Sequence, residues 1–348
     1  MTDLVPVDDF YTPANLQTIN FRLELIKSYP RYIQIKPQRN YRLDGKHTFQ
    51  LTKRSSFTAN GAIAKIVEYK DNQILFSTHR GDISSYNIDT NEYSNVYNHN
   101  NTRVSALSYS RDSDLIVSGA QDGTLSLMNS GKLAQFEMHK DRIVDMCSLN
   151  HSSNNVLTIS HDKTWSLLDL NSGDALLYKQ DGYTSGLTAM SLSSFDHLFV
   201  TATNDEIQMH DLRSGFLVGR SKNLDKEPCY DMKLLDNNHT LITGGQGKLK
   251  IFDLRKLSID GINDCLLDEK LVHQGNLVTS MDFKDDILVS TGFKDASVEI
   301  NTLRNGNIEN INDHKKDMAI AGDKLLTSKI LNDGQILTAG FNSKINFI

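Results

Sequence analysis

The residues of this chain that can do chemistry do not form a recognised catalytic motif. The stretch 244–247 (GGQG) has the glycine content of a loop that cradles phosphate at the start of a helix. It is followed by KLKIFDL, residues 248–254, whose alternating apolar residues predict a strand, so the glycines are interpreted as a turn between strands. The sequence contains no G-x-S-x-G, no H-E-x-x-H and no P-loop. These patterns predict a protein that is not an enzyme.

Histidine and cysteine are the residue types that most often hold metals in proteins. None of the 11 histidines is spaced for a metal pair, and the three cysteines are far apart in the chain. We therefore expect no metal and no cofactor. An odd number of widely spaced cysteines also argues against a disulfide framework, which predicts a reducing compartment, the nucleus or the cytoplasm.

Charge and hydropathy indicate which partners to expect. The net charge is −6, and no run of lysine and arginine exceeds two residues. Direct nucleic-acid binding is therefore not expected, because it depends on clustered cations that neutralise phosphates. No apolar stretch approaches the ~18 residues that a membrane-spanning helix needs, so we expect no membrane partner.

A unit of short apolar strands recurs at intervals of 40 to 49 residues. Its clearest copy is 115–129 (LIVSGAQDGTLSLMN), which has the pattern of a strand, a turn and a second strand. The first apolar residue after the turn marks seven copies, at Ile83, Leu125, Trp165, Ile207, Leu249, Val298 and Ile345. A period near forty residues, filled with short strands, is typical of an array of four-stranded units.

The two ends of the array predict how it closes. The seventh copy has three strands, and residues 47–52 (HTFQLT) form a strand candidate ahead of the first copy. We expect this strand to complete the seventh unit, which would remove two exposed sheet edges. Four of the five prolines lie in the first 37 residues. The predicted organisation is an extension over 1–46, with a short helix and an extended segment, followed by the array over 47–348.

Motifs within the copies resemble those of WD40 repeats. Two copies end in Asp-x-Arg, as Asp211/Arg213 and as Asp253/Arg255, and in three copies a histidine precedes the first strand, at His99, His139 and His273. The resemblance implies an all-β fold, a seven-bladed β-propeller of WD40 type. It also implies a buried set of His, Ser or Thr, Asp and Trp in each blade. The third copy comes closest to that set, with His139, Ser160 and Asp162, which are expected to be structural.

In such a ring, the loops that enter the inner strands share one face with the turns between the two middle strands. The residues expected there as a partner-binding surface are Arg80, Arg103, Arg142, His161, Tyr183, Phe293 and Phe341. Arginine and aromatic side chains are the types that most often dominate binding energy at interfaces. Arg103 and Arg142 each stand one residue before an inner strand, so we expect them side by side in neighbouring blades.

Three functional classes are compatible with these features. The favoured one is a non-enzymatic scaffold, a subunit of a multiprotein complex that binds partner peptides or domains on the propeller face. The resemblance also implies an alternative, because tandem Asp-x-Arg boxes mark some substrate receptors of cullin-type ubiquitin ligases. In that case Asp211, Arg213, Asp253 and Arg255 would face the adaptor. A propeller hydrolase with a carboxylate or a histidine at the channel mouth is the third class.

Overall fold

The fold consists of seven four-stranded antiparallel sheets. The computed structural model describes residues 56–348 except 71, 112, 130, 150–154, 171–174, 180–182, 196, 223–226, 262–263, 295, 305–306, 311–323 and 348. The predicted boundary at residue 46, the predicted N-terminal helix and the candidate strand 47–52 lie outside these residues. No helix in the described part of the chain is long and apolar enough to cross a bilayer.

The first three blades follow one another along the chain, each running from an inner to an outer strand. Blade 1 contains β2 (Ile63–Glu68), β3 (Gln73–Thr78), β4 (Asp82–Asn87) and β5 (Tyr93–Asn98). Blade 2 contains β6 (Val104–Ser110), β7 (Leu115–Ala120), β8 (Thr124–Asn129) and β9 (Lys132–Glu137). Blade 3 contains β10 (Ile143–Ser148), β11 (Asn155–Ser160), β12 (Trp165–Asp169) and β13 (Ala175–Lys179).

The next three blades repeat this order. Blade 4 contains β14 (Ala189–Leu192), β15 (Leu198–Ala202), β16 (Ile207–Asp211) and β17 (Phe216–Ser221). Blade 5 contains β18 (Asp231–Leu234), β19 (Thr240–Gly244), β20 (Lys248–Asp253) and β21 (Leu266–Leu271). Blade 6 contains β22 (Val278–Lys284), β23 (Ile287–Gly292), β24 (Val298–Arg304) and β25 (Asn307–Asn310). Two short 3₁₀ turns lie at Leu254–Lys256 and His273–Gly275.

Blade 7 closes the ring with a strand from the start of the described chain. It contains β26 (Leu325–Ile330), β27 (Ile336–Gly340) and β28 (Lys344–Phe347), and its outer strand is β1 (Ser56–Thr58). The predicted closure by an N-terminal strand is therefore confirmed, and the closing strand in the described chain is Ser56–Thr58. Strand β1 pairs antiparallel with β28 and leads after four residues into β2.

The side chain at the centre of β1 packs the closing strand against blade 1. The ring of Phe57 stacks on Tyr86 at 4.6 Å between centroids, and it also contacts Phe76 at 6.0 Å and Tyr93 at 5.4 Å. The closing strand is thus packed against the aromatic residues of blade 1 while its backbone pairs with blade 7. Aromatic contacts of this kind add to the free energy of burying the ring.

The core lies between neighbouring blades. All six residues of β7 are buried, because both faces of the sheet are covered by the adjacent blades. The outer strand β9 of the same blade is exposed at five of its six residues. Each inner strand packs on that of the next blade, and β26 packs on β2, which completes the ring. The predicted seven-bladed propeller is confirmed.

Candidate functional site

A repeated backbone hydrogen bond builds one face of the ring. The same bond is found in five blades. The residue directly after the second strand donates its N–H to the carbonyl of the residue directly before the inner strand. The pairs are His79 to Ala62, Gln121 to Arg103, His161 to Arg142, Phe293 to Leu277 and Phe341 to Lys324, at 2.8–3.1 Å. Two positions per blade are therefore held in equivalent places. We call this surface the loop face.

Two arginines occupy equivalent positions on the loop face of blades 2 and 3. Arg103 and Arg142 are both exposed, and partial burial together with the positive charge of Arg142 lowers the pKa of Arg103. The nearby carboxylate of Asp141 accepts the backbone N–H of Arg142 at 2.6 Å, and it also lies 3.2 Å from Nδ1 of His161. Within the described chain, no carboxylate forms an ion pair with either guanidinium. The pair thus presents two exposed cations that form no ion pair with a carboxylate of the described chain.

An aromatic group continues this surface over blades 6, 7 and 1. The rings of Phe293 and Phe341 meet edge to face at 6.2 Å between centroids, and Phe341 meets the imidazole of His79 in the same way at 5.1 Å. The ammonium of Lys324 lies 5.3 Å from the Phe293 centroid and 5.9 Å from that of Phe341. Burial, and then the charge of Arg103, lower the pKa of His79 to about 4, so its ring is neutral at pH 7.

The six residues that follow one another around the mouth of the channel are called the loop-face arc: Phe293, Lys324, Phe341, His79, Arg103 and Arg142. Among the residues predicted to bind partners, Arg80 is also exposed, on the turn after His79, and His161 is exposed beside Asp141. His79 and Lys324 were not among the residues predicted from the sequence to bind partners. Their equivalence to His161 and Arg142 in the repeat was the available signal.

Inside the ring, the inner strands of all seven blades line a central cavity of about 650 Å³. An inner strand has an unpaired edge, so its backbone N–H groups need acceptors. Side chains of the preceding blade supply them. Asp231 accepts the N–H of Met281 at 2.6 Å, and Asp282 accepts that of Ile330 at 2.8 Å. Hydroxyl groups do the same at two other blade junctions, from Ser148 to Ser108 and from Leu234 to Ser191. At the junction that Asp282 bridges, the N–H of Ser328 also donates to the hydroxyl of Ser280.

Lysines neutralise the carboxylates of this channel. Lys65 of blade 1 contacts Asp145 of blade 3 at 3.0 Å, and Lys329 contacts Asp282 at 3.1 Å. Burial opposes ionisation of Asp282, but Lys329, Lys233 and the Ile330 N–H outweigh it and lower the pKa of the carboxyl. This network of lysines and aspartates was not predicted from the sequence. Its signal was a charged residue inside each of several otherwise apolar inner-strand runs, such as IVDMCS.

Comparison with known proteins agrees with this architecture. Residues 91–129 match the family described as "WD domain, G-beta repeat". The solved WD40 β-propeller domain of Doa1 superimposes with a TM-score of 0.71 at 14% identity, covering 85% of this chain and 95% of that one. The fold is that of a WD40 propeller. A chain of a mitotic checkpoint complex gives a TM-score of 0.74 at 17% identity, covering 89% of this chain and 95% of that one. No curated protein sequence matches the chain.

The polar set of blade 3 centres on a buried histidine. His139 Nδ1 lies 3.3 Å from Asp162 and 2.9 Å from the hydroxyl of Thr164, and its Nε2 lies 2.9 Å from the hydroxyl of Thr158. The hydroxyl partners of the imidazole are thus two threonines, and Ser160 does not contact it. Ser160 instead donates to two backbone carbonyls and accepts the N–H of Asp162.

Hydrogen bonding decides the ionisation of the carboxyl in this set. Burial alone would raise the pKa of Asp162, but hydrogen bonds from Thr164 and from the N–H of Lys140 hold it below its usual value. Burial also lowers the pKa of His139. The set therefore contains a neutral imidazole and a carboxylate, each with partners, which is the condition for burying polar groups at low cost.

Tyr183 does not belong to the partner-binding surface, contrary to expectation. It is 4% exposed, and its hydroxyl lies 2.9 Å from that of Thr201 and 2.8 Å from Nε2 of His210. Thr201 corresponds in blade 4 to Thr158 in blade 3, so the tyrosine takes the structural place that His139 has there. A phenol buried next to an imidazole and a hydroxyl is held inside by those hydrogen bonds.

The two Asp-x-Arg boxes have the same local geometry. Arg213 contacts Asp211 through Nε and Nη2 at 3.2 and 2.9 Å, and Arg255 contacts Asp253 at 2.9 and 2.8 Å. Each carboxylate also accepts the backbone N–H of its arginine. These forked pairs lower the pKa of both aspartates and fix the turn after the third strand.

The described residues give little support for metal binding or for a reactive thiol. No group of three or more His, Cys, Asp or Glu side chains there is arranged to hold a metal ion. Burial raises the pKa of the thiols of Cys229 and Cys265. Such thiols are poor nucleophiles, because the thiolate is the reactive form.

Proposed function

We propose that this protein is a non-enzymatic interaction scaffold whose loop face binds an acidic or phosphorylated segment of a partner within a multiprotein complex. One observation carries the proposal. Arg103 and Arg142 lie at equivalent positions of adjacent blades, exposed, without an ion pair to a carboxylate in the described chain. The charge of Arg142 contributes to the lowered pKa of Arg103, which means that the two cations repel each other. An anion bound between them would relieve that repulsion.

The fold supports binding by rigid display. The carbonyl of each arginine is hydrogen-bonded to the turn of its own blade, so the two Cα positions are fixed by the sheets and need no reordering on binding. Guanidinium groups offer forked donors that match the oxygens of a carboxylate or a phosphate. WD40 propellers are typically protein-interaction modules, and the present fold is of that type.

The alternatives have weaker support. An adaptor surface at the Asp-x-Arg boxes would use guanidiniums that are already paired with the aspartates of their own boxes. A hydrolase would need an available carboxylate or histidine in a deep pocket. The channel carboxylates Asp231 and Asp282 instead accept backbone N–H groups of neighbouring strands, which favours a structural role.

The test is affinity purification from native cells followed by mass spectrometry. We expect Arg103→Glu plus Arg142→Glu to lose a set of partners that the wild type retains, with an unchanged melting temperature. The matched control is Lys132→Glu plus Lys256→Glu, which makes the same change of net charge. These two exposed lysines follow the third strands of their blades, at the ends of the sheets away from the loop face. Full retention of partners by the folded Arg103/Arg142 variant would refute the proposal.

A further inference from the structure

Lys324 occupies on blade 7 the position that the two arginines occupy on blades 2 and 3. Each of the three stands one residue before its inner strand, and each carbonyl accepts the N–H of the residue that follows the second strand of the same blade. The corresponding residue of blade 1, between them on the ring, is Ala62, which has a small side chain. At this one position, four consecutive blades therefore present a cation, a small residue and two further cations.

Lys324 is held in place by aromatic rings rather than by a carboxylate. Its ammonium lies over both Phe293 and Phe341, and no described residue forms an ion pair with it. A cation over two ring faces is attracted by their quadrupoles but keeps its charge. An exposed lysine ordinarily loses side-chain entropy when it is fixed by a ligand, and these contacts limit that loss beforehand.

The neutral imidazole of His79 connects the two parts of the arc. It touches Phe341 on one side, and on the other it lies within the field of Arg103. Because this ring is neutral at pH 7, it does not add a fourth charge to the arc. Within the arc, the residues between Lys324 and Arg103 are thus aromatic and uncharged, with positive charge at both ends.

From this geometry we infer that Lys324 is the third cation of the partner-binding site, and that the ligand is a phosphorylated segment rather than one with only carboxylates. The inference rests on the proposed function. Two arginines suffice for a single carboxylate, whereas a phosphoryl group carries up to about two charges and three acceptor oxygens that three separate cations can serve. Phe293 and Phe341 act as positioning residues, because they orient Lys324.

The test compares three fluorescein-labelled peptide libraries with degenerate flanks, whose central residue is phosphoserine, aspartate or serine. Binding is measured by fluorescence anisotropy on the full chain, and the fold of each variant is checked by circular dichroism. We expect the wild type to prefer phosphoserine to aspartate. We expect Lys324→Ala to weaken binding of the phosphoserine library about fivefold, the scale of one exposed ionic contact, with little effect on the aspartate library.

Matched variants separate the role of the charge from that of the rings. Lys324→Arg should retain the preference, and Lys294→Ala, which removes an exposed cation from the neighbouring turn, should leave it unchanged. Phe341→Leu should lower the preference for phosphoserine in part, because it removes one of the rings that orient Lys324. Phe341→Tyr keeps a ring and should retain the preference. Loss of folding alone would not give this pattern.

The outcomes distinguish the inference from the proposed function. If the wild type binds none of the libraries, both fail. If it binds anionic libraries through Arg103 and Arg142 but Lys324→Ala keeps the preference for phosphoserine, only the inference is overturned. Tighter binding of a single-stranded oligonucleotide than of the phosphoserine library overturns the assignment of the ligand as a protein segment.

Discussion

The carboxylate of Asp282 is expected to stabilise the ring from inside its channel. The side chain is buried, and its Oδ2 accepts the N–H of Ile330 at 2.8 Å and lies 3.1 Å from the ammonium of Lys329. Lys233 of blade 5 approaches Oδ1 at 3.9 Å. One carboxylate thus links three blades. Asp282→Ala removes the acceptor and the charge, whereas Asp282→Asn keeps the shape and one acceptor oxygen.

The size of the effect follows from these contacts. A buried hydrogen bond to a charged group contributes about 1.5–3 kcal/mol. The side chains of Lys233 and Lys329 stay 34% and 32% exposed, so water replaces part of the lost pairing. For that pairing we add only about 1 kcal/mol. We therefore expect Asp282→Ala to lower the free energy of unfolding by about 3 kcal/mol, and Asp282→Asn to lower it by about 1.5 kcal/mol.

Urea denaturation at pH 7 measures these differences, followed by circular dichroism and by the fluorescence of Trp165, the single tryptophan, which is fully buried. The two probes should give the same midpoint if the ring unfolds cooperatively. Asp236→Asn, at an exposed aspartate, is the control and should change little. A loss below about 0.5 kcal/mol for Asp282→Ala, the range of ordinary surface substitutions, would refute the reasoning.

The pH dependence tests the charge itself. The folded-state pKa of Asp282 is lowered, so its ionised form contributes stability above the ordinary pKa of an aspartate, and that stability is lost as the pH falls. The difference between wild type and Asp282→Asn should therefore be full at pH 7 and shrink below about pH 4. A difference that stays constant down to acid pH would show that the charge is not its origin.

Two further predictions concern the closing strand and blade 3. Phe57→Ala should lower the free energy of unfolding by about 2 kcal/mol, because it removes the aromatic contacts of the partly buried closing strand, whereas the 71%-exposed Phe216 should be replaceable by alanine without loss. Thermal unfolding checks both, and equal melting temperatures would mean that the ring does not depend on this contact. Asp162→Ala should cost about 2 kcal/mol, since it leaves the donors of Thr164 and Lys140 without their acceptor. Asp333→Ala removes a similar acceptor on an exposed turn and is the comparison, so an equal effect of the two would indicate that the blade 3 set adds nothing by being buried.

The sequence by itself determined the number of blades and the strands within them. A repeat near forty residues with alternating apolar positions fixes which residues can form each strand, because alternation is a local property of a pleated chain. The equivalence of Arg103 and Arg142 follows from the same spacing, since equivalent positions in a repeat take equivalent positions in the ring. The relation of Lys324 to them was readable from the sequence by the same argument.

Only the tertiary structure decided which polar residues turn inward and which strand closes the ring. Tyr183 was predicted to be an exposed loop residue. It is buried instead, because its hydroxyl contacts Thr201 and His210 in the place that His139 has in blade 3. In the channel, the N–H that Asp231 accepts belongs to Met281, 50 residues away in the next blade. Such partners meet through the packing of neighbouring sheets and have no local pattern. The physical reason is that alternation specifies a face, whereas the satisfaction of a buried polar group depends on whatever the adjacent blade places against that face.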